Sequence, residues 1–137
     1  MNTEEVKDLI QKTLETQRYG VYNTIRNEQP HSALVGFAVT PDLEKIIILT
    51  NRNTRKYINT QLHHKVTLFV STTTNRPEDL DDGIAISVIG TAEVGEKLSS
   101  ETINDYRTYY LQKNAYMKDL AEAISDIIVF DFPFDFF

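Results

Sequence analysis

The chain has 137 residues, 41% of them hydrophobic and 25% charged, so we expect one folded domain rather than a disordered chain. It contains no cysteine, which excludes disulfides, thiol catalysis, zinc–thiolate sites and iron–sulfur clusters. The formal net charge of −6 argues against binding to nucleic acid or to an anionic membrane surface. No apolar run is long enough for a transmembrane helix, and the acidic N-terminus is unlike a secretory signal. We therefore expect a cytoplasmic protein.

Hydrophobic periodicity predicts one amphipathic helix, then a series of short strands with a small helix among them. Helices are predicted over residues 2–17 and 54–63, and two more between 99 and 125, with Asn2 and Asn114 as caps. Strands are predicted over residues 19–25, 31–39, 45–50, 65–71, 84–94 and 127–137. The unbroken apolar run from Ile46 to Leu49 indicates a strand buried on both faces. Strands this short and numerous favour an α+β barrel or sandwich over a doubly wound parallel sheet.

Positive charge is concentrated in one segment of this acidic chain. Between Lys45 and Pro77 there is no Asp or Glu, whereas six Lys or Arg side chains occur there, so the rest of the chain carries a net charge of −12. A segment free of carboxylates is expected around a local anion site. Chance clustering around a solvated helix gives the same pattern, so charge alone leaves both interpretations open.

The start of the helix predicted at residues 54–63 carries the clearest chemistry. A helix N-terminus has a partial positive charge and usually attracts acidic residues, yet Arg55 and Lys56 occupy this first turn. A bound anion would reverse the local repulsion, with backbone N–H groups, the Thr54 hydroxyl and both cations converging on a phosphate. The alternative is a surface helix whose capping residue happens to precede two bases.

Six short stretches occur in an order that characterises a known family. They are residues 19–24 (YGVYNT), 29–37 (QPHSALVGF), 46–51 (IIILTN), 54–56 (TRK), 63–68 (HHKVTL) and 88–93 (VIGTAE). This ordered set, over about residues 5 to 95, resembles the pyridoxamine 5′-phosphate oxidase-like family of split-barrel flavoproteins. No single stretch is specific, and the resemblance lies in their order and spacing.

The resemblance implies a fold, a cofactor and an assembly. It implies a single FMN-binding domain over residues 1–137, folded as a six-stranded antiparallel Greek-key split β-barrel with flanking helices. It also implies a homodimer with FMN in grooves at the subunit interface. The strand at residues 33–37 would line the flavin ring, partly through backbone groups, with Thr50 beside the phosphate or ribityl chain and residues 54–56 on the phosphate. The implied cofactor-binding residues are Ala33, Leu34, Val35, Gly36, Leu49, Thr50, Asn51, Thr54, Arg55 and Lys56.

The sequence departs from the family pattern at three places. His63-His64 stands where family members usually have Asn-Pro, and Ala33 stands where some relatives offer an Arg to the flavin. The Arg- and Trp-bearing substrate motifs of the vitamin oxidases are absent, and the chain has no Trp. We therefore expect an activity other than that of the vitamin oxidase. Adjacent histidines seldom share one ion, and no calcium-loop spacing occurs among the acids at 78–82, so no metal site is expected.

Three functions follow from these observations. The first is an FMN-dependent oxidoreductase acting on a nicotinamide or another small molecule, with the flavin doing the redox chemistry and no protein acid or base assigned. The second is a split-barrel protein that binds FMN, haem or a deazaflavin without turnover. The third is nucleic-acid binding through the basic segment, which the net charge disfavours.

Phenylalanines alternate with other residues at the end of the chain. Four of them, at positions 130, 132, 134 and 136, fall on one face of the strand predicted at 127–137. Such a row of rings at a chain end would aggregate unless it is covered. We therefore expect part of this strand to pack in the barrel and its end to reach the subunit interface.

Overall fold

Seven antiparallel strands make up one curled sheet in the computed structural model, which describes residues 1–123 and 126–131. The strands are β1 (Tyr19–Arg26), β2 (Gln29–Gly36), β3 (Ala38–Val39), β4 (Lys45–Thr50), β5 (Lys65–Ser71), β6 (Ala85–Val94) and β7 (Asp126–Asp131). The helices are α1 (Thr3–Thr16), α2 (Arg55–Leu62), α3 (Asp79–Asp82), α4 (Ser100–Lys113) and α5 (Lys118–Ala123), with 3₁₀ turns at Gly95–Lys97 and Ala115–Met117. The predicted α+β class is confirmed.

The strand order is β2-β1-β5-β6-β7-β4-β3, with β6 as the element that joins the two halves. The first seven residues of β6 pair with β5, and its last three, Ala92 to Val94, pair with β7. The sheet therefore turns from one half to the other along a single strand, between Thr91 and Ala92. This long strand gives the sheet its half-barrel curvature.

The second predicted strand is divided in two, which corrects the predicted count from six strands to seven. Residues 29–36 lie at one edge of the sheet beside β1, whereas residues 38–39 lie at the other edge beside β4. Phe37 stands between them and is fully buried, packed in the core with strands from both halves. One residue thus connects the two edges of the sheet, and this covalent link holds the half-barrel closed.

Several local predictions are confirmed at the level of single bonds. Asn2 Oδ1 accepts a hydrogen bond of 2.8 Å from the Glu5 amide at the start of α1, and Asn114 caps the end of α4. The connection between β5 and β6 contains the one-turn helix α3. The last strand is described only as far as Asp131, so the predicted row of phenylalanines beyond it lies outside the described residues.

Among the described helices, none is both long and apolar enough to span a bilayer.

The predicted burial of β4 on both faces is confirmed. Ile46 and Ile48 point into the core enclosed by the curled sheet, where they pack with Phe37 and Phe130. Ile47 points the other way, into a second cluster with Tyr110 of α4. The helix α4 therefore covers the outer face of this half of the sheet, so Ile46, Ile47 and Ile48 are all shielded from water.

The close approach of β6 and β7 predicts a specific effect at Gly90. A Cβ atom at this position would lie 2.8 Å from the Asp131 carbonyl oxygen and 3.1 Å from the Phe130 ring. Because backbone cannot yield easily, we expect Gly90→Ala to lower the free energy of unfolding by about 1–3 kcal/mol in urea titrations. The exposed neighbour Thr91→Ala is the control. Equal stability of Gly90→Ala and wild type would contradict the close packing of these strands.

A half-buried lysine links the ends of α1 and α4. Lys113 Nζ donates a 2.9 Å hydrogen bond to the Leu14 carbonyl oxygen and lies 3.6 Å from the centre of the Phe37 ring. Burial lowers the pKa of Lys113 to about 8, because the charged ammonium loses solvation there. The charged form of Lys113 therefore lowers the free energy of unfolding relative to the neutral form, because only the charged form loses solvation on folding.

This lowered pKa predicts a rise in stability with pH. Between pH 8 and the ordinary lysine pKa, the unfolded chain binds more protons than the folded chain, so the free energy of unfolding rises. Urea titrations at about pH 7.5 and about pH 9.5 should show the rise in wild type and in the exposed-site control Lys118→Met, and a smaller rise in Lys113→Met. Higher pH is avoided because burial raises the pKa of Tyr57 and Tyr110 to about 12, which favours unfolding once free tyrosines ionise. An identical rise in all three proteins would show that Lys113 is solvated.

Candidate functional site

Two threonine hydroxyls meet where β4 passes into α2. Thr54 caps the helix, with its Oγ1 accepting from the Tyr57 amide at 3.4 Å and donating to the Asn51 carbonyl at 2.8 Å. Thr50 Oγ1, at the end of β4, lies 3.0 Å from Thr54 Oγ1. Because the Thr54 hydrogen is committed to Asn51, Thr50 donates in this pair. The structure thus brings Thr50, Asn51 and Thr54 together at the start of α2.

Half of the bases in the acid-free segment have structural partners from outside it. Arg52 Nη2 lies 2.7 Å from Asp126 Oδ1, the Arg52 amide donates to the other carboxylate oxygen, and Glu96 is 3.3 Å away. This guanidinium lowers the pKa of Asp126, chiefly by hydrogen bonding. Lys45 and Arg76 are likewise paired with carboxylates. In the folded protein, carboxylates from outside the segment therefore compensate three of its six positive charges.

Arg55 and Lys56 are left without a carboxylate partner among the described residues. Arg55 is exposed, whereas Lys56 is half-buried, and burial lowers its pKa. The first turn of α2 contains no acid. A partly desolvated cation without a counter-ion is stabilised by any anion that reaches it. The two unpaired cations stand directly after the hydroxyl pair.

The β2 residues predicted to line a flavin divide between two faces of the strand. Ala33 and Val35 point into the core, whereas the Leu34 side chain is 72% exposed. A Cβ at Gly36 would lie 2.8 Å from the Tyr110 hydroxyl, so only its backbone is available. Pairs in a two-residue hairpin alternate, and β2 is an edge strand, so the backbone groups of Leu34 and Gly36 face the open edge. Ala33 and Val35 have neither group free for a contact outside the core, because their side chains lie in the core and their backbone groups pair with β1.

Leu49 does not share a face with Thr50. It is half-buried against the cluster under α4, on the side of β4 opposite the threonine. Within the described part of the chain, no hydrogen bond or ion pair joins residues 33–36 to residues 54–56. The two halves of the predicted site are related through β1, since Tyr22 pairs with Ala33 and its hydroxyl lies 2.7 Å from Thr60 of α2.

A groove beside this site contains two residues that sequence reasoning missed. It has a volume of about 500 Å³ and is lined by Arg26, Asn27, Gln29, Pro30, His31, Arg55 and Asn59. Arg26 and His31 come from the tip of the β1–β2 hairpin, and Arg55 comes from α2. The signal that would have found them is hairpin register, since a two-residue turn at Asn27-Glu28 pairs Thr24 with His31. No group of three His, Asp or Glu side chains suited to a metal occurs in the described ranges.

Solved structures share this architecture across most of the chain. A protein of unknown function from Agrobacterium tumefaciens matches with a TM-score of 0.77 at 13% identity, over 96% of this chain and 54% of its own. A haem storage protein from Vibrio cholerae matches with a TM-score of 0.69 at 13% identity, over 92% of this chain and 87% of its own. A protein from Listeria innocua, provisionally assigned as a pyridoxamine 5′-phosphate oxidase, gives 0.65 at 15% identity, over 91% of each chain.

The chain has the pyridoxamine 5′-phosphate oxidase-like split-barrel fold. At such identities the likeness shows the fold alone, and the chain spans about half the length of the Agrobacterium protein. No protein-family model and no curated protein matches the sequence. The function of this split barrel therefore has to be argued from its own side chains.

Proposed function

We propose that residues 1–137 form a single FMN-binding domain and that the protein is an FMN-dependent oxidoreductase other than the vitamin oxidase. The observation that carries this proposal is the pair of unpaired cations, Arg55 and Lys56, beside the Thr54 hydroxyl in a helix turn without acids. A phosphate monoester matches this set because it accepts from a planar guanidinium, an ammonium and backbone N–H donors at once.

Each part of the site has a distinct task in this proposal. Arg55 and Lys56 hold the phosphate, and the half-buried Thr50–Thr54 pair fixes the loop from which the helix starts. Asn51 lies on that loop, beside the ribityl chain. The exposed edge of β2, through the backbone groups near Leu34, supports the ring. The flavin supplies the hydride chemistry when bound, and a nicotinamide or another small molecule is the expected substrate.

We also propose that the protein is a homodimer with the cofactor at the subunit interface. Cross-strand register places Leu34, Val21 and Phe69 in one row on the outer face of the sheet, and Leu34 and Phe69 are 72% and 40% exposed. Ile89, on the next row, is 70% exposed. A contiguous apolar face of this kind is typical of a protein–protein interface. Since Leu34 also borders the proposed ring site, a second copy seated here would cover the flavin.

The proposed dimer predicts the effect of a charge on this face. Wild type should sediment as a dimer, whereas Phe69→Glu should shift to monomer because a desolvated carboxylate is unfavourable at an apolar contact. Leu80→Glu, at a 95% exposed position on α3, is the matched control and should stay dimeric. Thermal unfolding of each variant checks that the fold is intact. A monomeric wild type, or a dimeric Phe69→Glu, would rule out this interface.

The phosphate contacts predict a large loss of FMN affinity. Charge-assisted hydrogen bonds contribute roughly 1.5–3 kcal/mol each, so Arg55→Ala with Lys56→Ala should raise the dissociation constant about 100-fold or more in fluorescence titrations. Riboflavin, which lacks the phosphate, should bind wild type about as weakly as FMN binds the double variant. The control is Lys97→Ala with Lys118→Ala, which removes the same charge from exposed positions elsewhere. Unchanged FMN affinity in the double variant would refute the phosphate site.

Binding of FMN, haem or a deazaflavin without turnover is the second candidate. The Vibrio cholerae neighbour is named for haem storage. In this chain His64 Nδ1 lies 3.0 Å from the Ala92 carbonyl, so that as a donor it leaves Nε2 available as a ligand atom. The cations of α2 would pair with haem carboxylates as well as with phosphate. Mass and absorbance spectra of the ligand released from the purified protein distinguish FMN, haem and a deazaflavin, and turnover with NADH or NADPH distinguishes enzyme from binding protein.

A further inference from the structure

Strand register brings three basic side chains to one place at the tip of the β1–β2 hairpin. Thr24 and Arg26 lie on the same face of β1, and His31 is the cross-strand neighbour of Thr24. Asn59 of α2 donates a 3.0 Å hydrogen bond to Thr24 Oγ1. Arg55 is one helical turn before Asn59, so it lies on the same face of α2. Arg26, His31 and Arg55 therefore line one groove, which we call the hairpin groove.

The hairpin groove is lined by donors and has no carboxylate in its wall. Besides the three basic residues, the lining consists of three side-chain amides and Pro30, and the volume is about 500 Å³. This volume lies in the range of small-ligand sites. Glu28, at the turn, is exposed and is not part of the wall. Neither Arg26 nor Arg55 has an ion pair among the described residues, so two cations face the same space uncompensated.

His31 provides a second observation, because one of its ring nitrogens is buried in a way that does not stabilise the fold. Its Nδ1 atom is buried and has no hydrogen-bond partner in the part of the chain that the structure describes. An unpaired buried polar atom is unfavourable for folding, and such departures are concentrated at functional sites. The turn itself is ordinary, since φ of 50° at Asn27 and 65° at Glu28 is the type I′ geometry that two-residue hairpins favour.

We propose that the hairpin groove is a phosphoryl-binding subsite in which Arg26 and His31 contact the anion together with Arg55. Two guanidinium groups, an imidazole and amide donors offer more hydrogen bonds than a single carboxylate accepts, whereas a phosphoryl group accepts on three oxygens. The groove exceeds one phosphoryl group in size, so the group belongs to a larger molecule. That molecule is either the flavin phosphate itself or a second, phosphorylated ligand, and the subsite does not depend on flavin binding.

Calorimetric titration with inorganic phosphate and with pyrophosphate tests the subsite on the full chain. Both probes should bind wild type, and Arg26→Gln should weaken each at least tenfold, with a severalfold loss in His31→Gln. The matched controls are Arg18→Gln, beyond the other end of β1, and His63→Gln, the exposed cap after α2. Both controls should bind like wild type. Thermal unfolding confirms that every variant is folded.

A second titration, on protein saturated with FMN, identifies the source of the phosphoryl group. Loss of phosphate binding would assign the subsite to the flavin phosphate, and retained binding would assign it to a second ligand. If FMN does not bind but phosphate does, the flavin proposal fails and the subsite stands. Wild-type protein that binds neither probe, or Arg26→Gln and His31→Gln variants that bind both like wild type, would overturn the subsite.

Discussion

Two buried hydrogen bonds between α2 and β1 fix the position of the cationic half of the candidate site. The Tyr22 hydroxyl lies 2.7 Å from Thr60 Oγ1, and Asn59 Nδ2 donates to Thr24 Oγ1 over 3.0 Å. All four side chains are buried, so leaving one unpaired would cost about 1–3 kcal/mol. Burial also raises the pKa of Tyr22, which keeps its hydroxyl protonated and able to pair. Since α2 has one register that satisfies both bonds, the residues before Asn59 are held against the hairpin.

Ion pairing separates the structural bases of the chain from those that are available to a ligand. Arg52 stands only three residues before Arg55 in the sequence, yet it is held by Asp126 of β7 and by Glu96. That contact ties the loop after β4 to the strand beside it, and it leaves Arg52 little capacity for an anion. Exposed pairs of this kind add little stability, so their main effect is to fix the loop in place. The cations of the next turn, Arg55 and Lys56, have no ion pair among the described residues.

Sequence alone reached the local features of this fold and missed those that depend on distant pairing. Capping by Asn2 and Thr54 and the burial of Ile46 to Ile48 are written in neighbouring residues, and each was predicted correctly. The break at Phe37 was missed because the pattern of residues 31–39 predicts one continuous strand. Only pairing with β1 on one side and β4 on the other decides that the chain passes from one edge of the sheet to the other at this residue. The partners of Arg52 were missed for the same reason, since Asp126 is 74 residues away. Arg26 and His31 needed the hairpin register before they could be placed beside Arg55.

A split barrel does not by itself choose its ligand, as the differently named structures with this fold illustrate. In this chain the choice rests on how charge is distributed where β4, α2 and the β1–β2 hairpin meet. The exposed edge of β2 can support the apolar ring of any of the candidate ligands, because its backbone groups and Leu34 discriminate little between flavin and porphyrin. The unpaired cations discriminate more, since a phosphate dianion close to helix N–H groups gains from both guanidinium geometry and helix polarity. Carboxylates on flexible arms gain less from that arrangement. The side chains of α2 and the hairpin tip therefore favour a phosphorylated ligand over haem, with the sheet edge as a support common to both.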